Sequence, residues 1–170
     1  AGAGSAFVGT KTTYGYDPNG QGGTQWGNVI HQRESEWVNN AWQAVRGTRT
    51  FFYPNVSTTK YLTGLPGIAQ NFACAGTGCD FNSVPIGETQ FIYDANTSYG
   101  TPPTAGILSR QRVQAAWGQF IETQYGYDAW GNRIAETRFK EYGDLSTFAS
   151  GGAQTTTFCY GGGLPVGCPS

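Results

Sequence analysis

This sequence has no methionine, a single histidine and few charged residues. Lys and Arg number 10 and Asp and Glu number 11, so the formal net charge is −1. Such a balance does not favour binding to nucleic acid or to an acidic membrane surface. No apolar run approaches the roughly 18 residues that a membrane helix needs. We therefore expect no nucleic-acid partner and no membrane span.

The missing methionine means that the chain cannot begin at its own start codon. It carries no signal peptide either, so we expect a processed or excised piece from which an upstream secretion signal has been removed. Charged residues make up 12% of the chain, about half the usual share of roughly 25%. Aromatic residues reach 15% and glycines number 26. This composition is typical of an extracellular or cell-surface β-protein.

Patterns that carry chemistry are scarce as well. No nucleophile-elbow sequence surrounds any Ser or Cys, so we interpret His31, the only histidine, as a structural strand residue. Glu34 and Glu36 share one face of a predicted strand, where paired carboxylates could serve a glycosidase, but a solvated face is the simpler interpretation. Phosphate-binding loops and metal-binding His/Cys motifs are absent from the sequence. We expect no enzyme activity, no cofactor and no metal.

What the sequence does contain is strand-forming segments along its whole length. Residues 120–125 and 134–139 are rich in aromatic and β-branched types and flank Asp-Ala-Trp-Gly-Asn, which predicts a β-hairpin. Asn39-Asn40 predicts another tight turn between two strands, with a helix over residues 36–45 as the competing prediction. We therefore predict an all-β fold of antiparallel hairpins with no substantial helix.

The sequence of this hairpin recurs along the chain. Residues 14–17 and 125–128 are both Tyr-Gly-Tyr-Asp, and residues 26–30 match residues 130–134 at all but one position. The first copy has seven more residues at its tip, where insertions are tolerated. Residues 91–94 and 106–108 form a weaker third copy. The motif residues are Tyr14, Tyr16, Asp17, Trp26, Gly27, Asn28, Tyr93, Asp94, Tyr125, Tyr127, Asp128, Trp130, Gly131 and Asn132.

These residues resemble the YD-repeat family of secreted bacterial proteins, also called the rearrangement hot-spot family. Its loose consensus is Tyr-x-Tyr-Asp-x-x-Gly-(Asn/Arg)-(apolar). The resemblance implies hairpins laid side by side in a spiralling or stacked sheet, as in shells, fibres and large surface proteins, with repeats that perform no chemistry. It divides the chain into an extended N-terminal arm or strand over 1–13 and a repeat module over 14–170, with repeats near 14–38, 90–113 and 120–139.

The four cysteines form two local pairs, Cys74 with Cys79 and Cys159 with Cys168. Each pair encloses a glycine-rich loop whose ends can meet, which indicates two disulfides and an oxidising compartment. A zinc site of four thiolates and unpaired thiols are the alternatives.

Two further kinds of site lie in predicted loops. Asn55 and Asn96 begin N-x-Ser/Thr sequons and are candidate glycosylation sites. Asp17, Asp94 and Asp128 stand nearly alone, so turn capping is favoured over calcium binding, which needs several oxygen ligands.

Together these features predict a structural, non-catalytic extracellular module that self-assembles into a fibre, filament or surface shell. Its partners would be copies of itself or sister repeats, joined through edge strands, because residues 1–16 carry one charge and residues 155–160 carry none. The alternatives are a carbohydrate-binding or adhesive module that uses exposed Trp, Tyr and Asn, with glycans as partners, or a slice of a toxin-encapsulating YD-repeat shell.

Overall fold

The structure, a computed structural model, describes residues 9–17, 27–54, 60, 62–139 and 152–160. These residues form one antiparallel sheet of nine strands whose order in the sheet is their order in the chain. The strands are β1 (Thr10–Tyr16), β2 (Val29–Val38), β3 (Ala41–Phe52), β4 (Pro66–Ala73), β5 (Gly87–Tyr93), β6 (Leu108–Ala116), β7 (Gln119–Tyr127), β8 (Arg133–Arg138) and β9 (Gln154–Thr157). The all-β prediction is confirmed. The described residues include no helix with the length and apolar character that crossing a bilayer requires.

The turn between β2 and β3 shows that residues 36–45 form a β-hairpin and not a helix. Asn39 and Asn40 both have positive φ, 52° and 61°, which is the geometry of a two-residue hairpin turn. Trp37 and Trp42 pair across this hairpin, and their rings meet edge to face at 5.3 Å. The helix over residues 36–45 is therefore wrong, because asparagine tolerates the left-handed backbone that the turn requires.

Four hairpins within the described residues end in the same backbone construction. In each, the strand register shifts just before the loop, and the following residue donates its backbone N–H to a carbonyl across the loop. These hydrogen bonds run from Asp17 to Asn28 (3.0 Å), from Tyr53 to Leu65 (2.9 Å), from Asp94 to Ile107 (2.8 Å) and from Asp128 to Asn132 (3.0 Å).

A glycine with positive φ stands immediately before each accepting residue. The four are Gly27 (72°), Gly64 (77°), Gly106 (80°) and Gly131 (86°). A residue with a Cβ rarely adopts this left-handed backbone. The motif glycine therefore reverses the chain at the entrance to the return strand.

This construction reveals a fourth copy of the repeat, in the hairpin of β3 and β4. The copy escaped the sequence pattern because Phe52 stands where the other copies have Tyr, and Tyr53 where they have Asp. Its backbone keeps the register shift, the cross-loop hydrogen bond and the glycine. Backbone geometry is thus more uniform among the repeats than side-chain identity.

Two loops cover one face of the sheet, which we call the covered face. Phe81, from the loop between β4 and β5, stacks on His31 at 4.3 Å and meets Phe72 edge to face at 5.4 Å. In the loop between β5 and β6, the Thr97 carbonyl accepts a hydrogen bond from Arg112 at 3.2 Å, and the Tyr99 carbonyl accepts one from the Tyr53 hydroxyl. The core beneath these loops is small, and Phe72 and Ile92 are its fully buried members.

Polar side chains continue this covered face across the middle of the sheet. Glu122 is 1% exposed, and its carboxylate accepts from Arg112 Nε at 2.7 Å, Arg110 Nη1 at 3.3 Å and Gln124 Nε2 at 2.7 Å. A carboxylate this deeply buried must be paired, because an uncompensated charge in the interior is strongly destabilising. These residues therefore take over part of the role that an apolar core plays in other sheets.

We predict that Glu122→Gln lowers the free energy of unfolding by about 3–5 kcal/mol, because it removes the carboxylate charge to which the buried Arg112 donates. Glu34→Gln is the matched control, since Glu34 pairs with Arg46 at 2.7 Å on the exposed surface. An exposed pair contributes about 1 kcal/mol or less. Urea unfolding monitored by tryptophan fluorescence measures both variants, and equal losses would contradict the structural role of the buried pair.

A second prediction concerns the close approach of the loop between β4 and β5 to β3. A Cβ at the buried Gly47 would lie 2.7 Å from Phe81 Cε1 and 3.0 Å from Cys79 Sγ. We expect Gly47→Ala to cost about 1–3 kcal/mol, the usual range for overpacking. Gly87→Ala is the control, because its nearest neighbour is Asn71 Nδ2 at 3.7 Å. A thermal melt in which both variants unfold like the wild type would rule out this packing.

Candidate functional site: loop clamps, open edges and two clefts

Asp94 holds the loop that joins β5 to β6 closed. Its carboxylate accepts backbone N–H groups from four successive residues, Thr104 (2.6 Å), Ala105 (2.8 Å), Gly106 (3.3 Å) and Ile107 (2.9 Å). Burial raises the pKa of Asp94, but the four hydrogen bonds together outweigh it and hold that pKa below 3.8. The motif aspartate therefore works as a loop clamp.

Asp128 does the same at the turn between β7 and β8. It accepts the backbone N–H groups of Trp130 and Asn132 and the side-chain amide of Asn132, each at 2.9 Å. The Asn132 amide, together with these backbone donors, lowers the pKa of Asp128. Turn capping is thus the role of both aspartates. Within the described ranges no group of three or more His, Cys, Asp or Glu side chains could hold a metal ion.

In the first repeat the structure covers only part of the motif. Asp17 donates its backbone N–H to the carbonyl of Asn28, and Gly27 supplies the positive φ. Trp26 lies outside the described residues. β1 runs without a break through the predicted boundary between residues 13 and 14.

The predicted disulfides differ in how much of them the structure covers. Cys74 and Cys79 are bonded, with Cα atoms 4.5 Å apart, and closing so short a loop contributes about 2 kcal/mol by chain entropy. The Ala44 N–H donates to the Gly76 carbonyl at 2.7 Å and holds this loop against β3. Cys159 is disulfide-bonded, and its predicted partner Cys168 lies outside the described residues.

The candidate glycosylation sites remain predictions. Asn55 lies outside the described residues. Asn96 is half-buried in the loop after β5, where its backbone N–H donates to the Tyr93 carbonyl at 3.0 Å.

The tyrosines of the motif fasten one hairpin to the strand before it. On β7, the Tyr127 hydroxyl donates to the Leu108 carbonyl of β6 at 2.8 Å, and the Tyr125 hydroxyl donates to Gln111 Oε1 of β6 at 3.0 Å. Their counterparts on β1, Tyr14 and Tyr16, are 54% and 58% exposed. Among the described strands none precedes β1 in the sheet, so these two tyrosines stand at an open edge.

Both ends of the described sheet are open edges. β1 pairs with β2 alone and β9 with β8 alone among the nine strands. Lys11 is the one charged residue of β1, and β9 has none; all four residues of β9 are exposed. These edges carry no proline and, apart from Lys11, none of the charge that usually prevents strands from pairing with other chains.

A cleft of about 450 Å³ lies where the loop between β4 and β5 meets β2 and β3. His31 and Arg49 line it, and the Arg49 guanidinium lies 4.6 Å from the Phe51 ring. Burial, followed by the charge of Arg49, lowers the pKa of His31 below 6.5. A neutral imidazole packed against Phe81 agrees with the structural role predicted for His31. Glu34 is engaged by Arg46, and Glu36 is exposed.

A second cleft, of about 320 Å³, lies beside the turn between β6 and β7. Residues from four strands, two loops and the turn itself line it, most of them polar or aromatic: Gln70, Pro85, Glu88, Gln90, Tyr99, Gln114, Trp117, Gly118 and Phe120. Glu88 and Gln90 also belong to the polar side chains that cross the middle of the covered face, for which the sequence offered one signal, the alternation in Glu88-x-Gln90, Arg110-x-Arg112 and Glu122-x-Gln124. Each pair lies on one strand face, but only the sheet register brings the three pairs together.

Comparison of the chain with protein-family models, with curated proteins and with solved structures finds no match.

We predict that the Asp94 clamp makes stability depend on pH. Because the folded-state pKa is depressed, the stabilisation is complete above the unfolded value of 3.8 and is lost as the pH falls through the folded-state pKa. Asp94→Asn should cost about 1–3 kcal/mol at pH 7 and much less in strong acid. Asp80→Asn is the control, because Asp80 Oδ1 accepts a single backbone N–H, that of Asn82. Urea unfolding between pH 2 and 7 tests this, and a pH-independent difference between wild type and Asp94→Asn would refute it.

Proposed function

We propose that this chain is a structural, non-catalytic module of YD-repeat type that works outside the cell or at its surface and assembles through its edge strands. The resemblance of the repeats to that family supports this proposal, and so does the recurrence of one backbone construction in four hairpins. Among the described strands, an open sheet in chain order leaves the outer N–H and C=O groups of β1 and β9 without a neighbouring strand. Pairing with another strand would satisfy them.

The exposure of Tyr14 and Tyr16 is the observation that carries the proposal. Inside the sheet, the equivalent tyrosines Tyr125 and Tyr127 donate to a strand that runs antiparallel to their own. At β1 the same side chains are exposed, and no described strand lies beside them. We infer that a further strand pairs with β1 in the way that β6 pairs with β7.

Strand direction limits which copies can meet. Because each neighbouring pair is antiparallel and the strands number nine, β1 and β9 run in the same direction. An antiparallel contact that keeps the covered faces on one side therefore joins like edges, β1 to β1 or β9 to β9, about a two-fold axis normal to the sheet. Alternation of these two contacts builds a continuous filament. A contact between β9 and β1 of the next copy would be parallel.

The test places one lysine on each edge. Thr12→Lys on β1 stands opposite Glu34 of β2, and Thr156→Lys on β9 stands opposite Glu136 of β8. Each new charge therefore faces a carboxylate of its own fold, although that carboxylate is already paired with arginine. In a two-fold contact the introduced lysines of both copies approach each other and repel. We expect filaments from the wild type, dimers from either single variant and monomers from the double variant. Analytical ultracentrifugation and electron microscopy measure these states.

Ala116→Lys is the charge-matched control, because Ala116 is exposed on the interior strand β6. It should assemble like the wild type. If either single variant is a monomer, the copies assemble through contacts of β9 with β1, and the two-fold arrangement is wrong. A wild-type chain that remains a monomer at all concentrations would overturn the proposed assembly.

A further inference from the structure

The cleft beside the turn between β6 and β7 contains hydrogen-bond acceptors that the protein itself does not use. Gln90 lines it and is 1% exposed. Its Nε2 donates to Glu88 Oε1 at 2.8 Å. A carboxylate can only accept, so this hydrogen bond fixes which end of the amide is the nitrogen. The opposite end is the oxygen, and Gln90 Oε1 has no hydrogen-bond partner within the described residues.

Gln114 supplies a second acceptor of the same kind. It also lines the cleft, and its Oε1 is buried and unpartnered within the part of the chain that the structure describes. A buried acceptor without a donor is destabilising, and native proteins contain few of them. Two such acceptors beside one cleft are the groups that a ligand with hydrogen-bond donors would satisfy.

The cleft has an aromatic side as well. Trp117, at the turn, is 75% exposed, and Tyr99 and the buried Phe120 also line the cleft. An exposed tryptophan beside a pocket offers a broad apolar face to a ligand while the polar groups fix its orientation. The ligand therefore needs one apolar face and at least two donor groups.

Charge around the cleft favours a neutral ligand. Both oxygens of Glu88 are occupied, one by Gln90 and the other by Gln70 Nε2 at 2.8 Å. Gln70 is in turn bound by Arg49 at 2.8 Å, and Gln90 is the register partner of Arg112. Glu88 is the one charged side chain among the described residues that line the cleft, so its carboxylate disfavours an anionic ligand, and both of its oxygens already accept from amide groups.

We propose that this cleft binds a neutral saccharide, with one pyranose ring against Trp117 and its hydroxyl groups donating to Gln90 Oε1 and Gln114 Oε1. Sugar hydroxyls are donors, and the C–H face of a pyranose is apolar. The volume of about 320 Å³ is at the small end of ligand pockets, which suits a single ring. The site goes beyond the assembly role and is independent of it, because neither β1 nor β9 contributes to the lining.

The probes are the methyl glycosides of glucose, galactose, mannose and N-acetylglucosamine, titrated separately into the wild-type chain. We expect saturable binding of at least one, with a Kd of about 1 mM, the affinity that a ligand of this size commonly reaches. Saturation-transfer NMR and calorimetry measure it without depending on tryptophan fluorescence. Butylammonium and acetate are titrated in parallel as a cationic and an anionic probe.

Trp117→Ala and Gln114→Leu should each weaken glycoside binding at least tenfold. Trp130→Ala is the matched control, because Trp130 is 80% exposed at the turn between β7 and β8 and lines neither cleft. Thermal melts establish whether each variant is folded. If Gln114→Leu is not folded, Gln114→Glu replaces it in the test. The Gln114→Glu side chain keeps the acceptor and cannot donate at neutral pH, so this variant should still bind the glycoside. No binding of any glycoside, equal binding by Trp117→Ala, or preference for butylammonium or acetate would overturn the proposal. Assembly into filaments is scored separately and does not affect these outcomes.

Discussion

Antiparallel backbone pairing between strands that follow one another in the chain is the interaction on which the rest of the structure depends. Each strand is hydrogen-bonded to its predecessor and its successor, and no described strand crosses over to reach a distant partner. Such a sheet grows by repeating one local event, the hairpin. Each hairpin needs a reversal that leaves the strands in register. The register shift, the cross-loop hydrogen bond and the left-handed glycine provide it at four places.

Because an open sheet encloses little volume, its side chains need other cover. Two loops lie over one face, and the disulfide between Cys74 and Cys79 closes the first of them near Phe81 and Gly47. Asp94 holds the second loop through four backbone hydrogen bonds. The two loops together cover a short row of apolar side chains and an ion pair. A substitution in either loop should therefore affect the sheet as well as the loop itself.

The same architecture separates two surfaces that could carry function. The open edges lie at the two ends of the described sheet, where backbone groups and the tyrosines of β1 are available to another strand. The cleft beside Trp117 lies on interior strands, next to the turn between β6 and β7. A module of this kind could assemble along its edges and still expose one binding cleft for every copy. Multiple copies of a weak site in one assembly bind a multivalent surface more tightly than a single copy does.

The sequence by itself determined the local features of this protein. Strand-forming segments, the Asn39-Asn40 turn, the hairpin around Asp128 and the short loop of Cys74 and Cys79 all follow from residues within about ten positions of one another. Tertiary structure alone decided the rest. The repeat at Phe52 and Tyr53 departs from the sequence motif and is recognisable only from its backbone geometry. The pairing of Arg112 with Glu122 follows from the register of β6 against β7. Tyr14 is exposed on β1, the first strand of the described sheet, and the cleft gathers residues from position 70 to position 120. Turn and strand preferences act between near neighbours in the chain, whereas burial and the pairing of buried charges depend on which strands lie side by side.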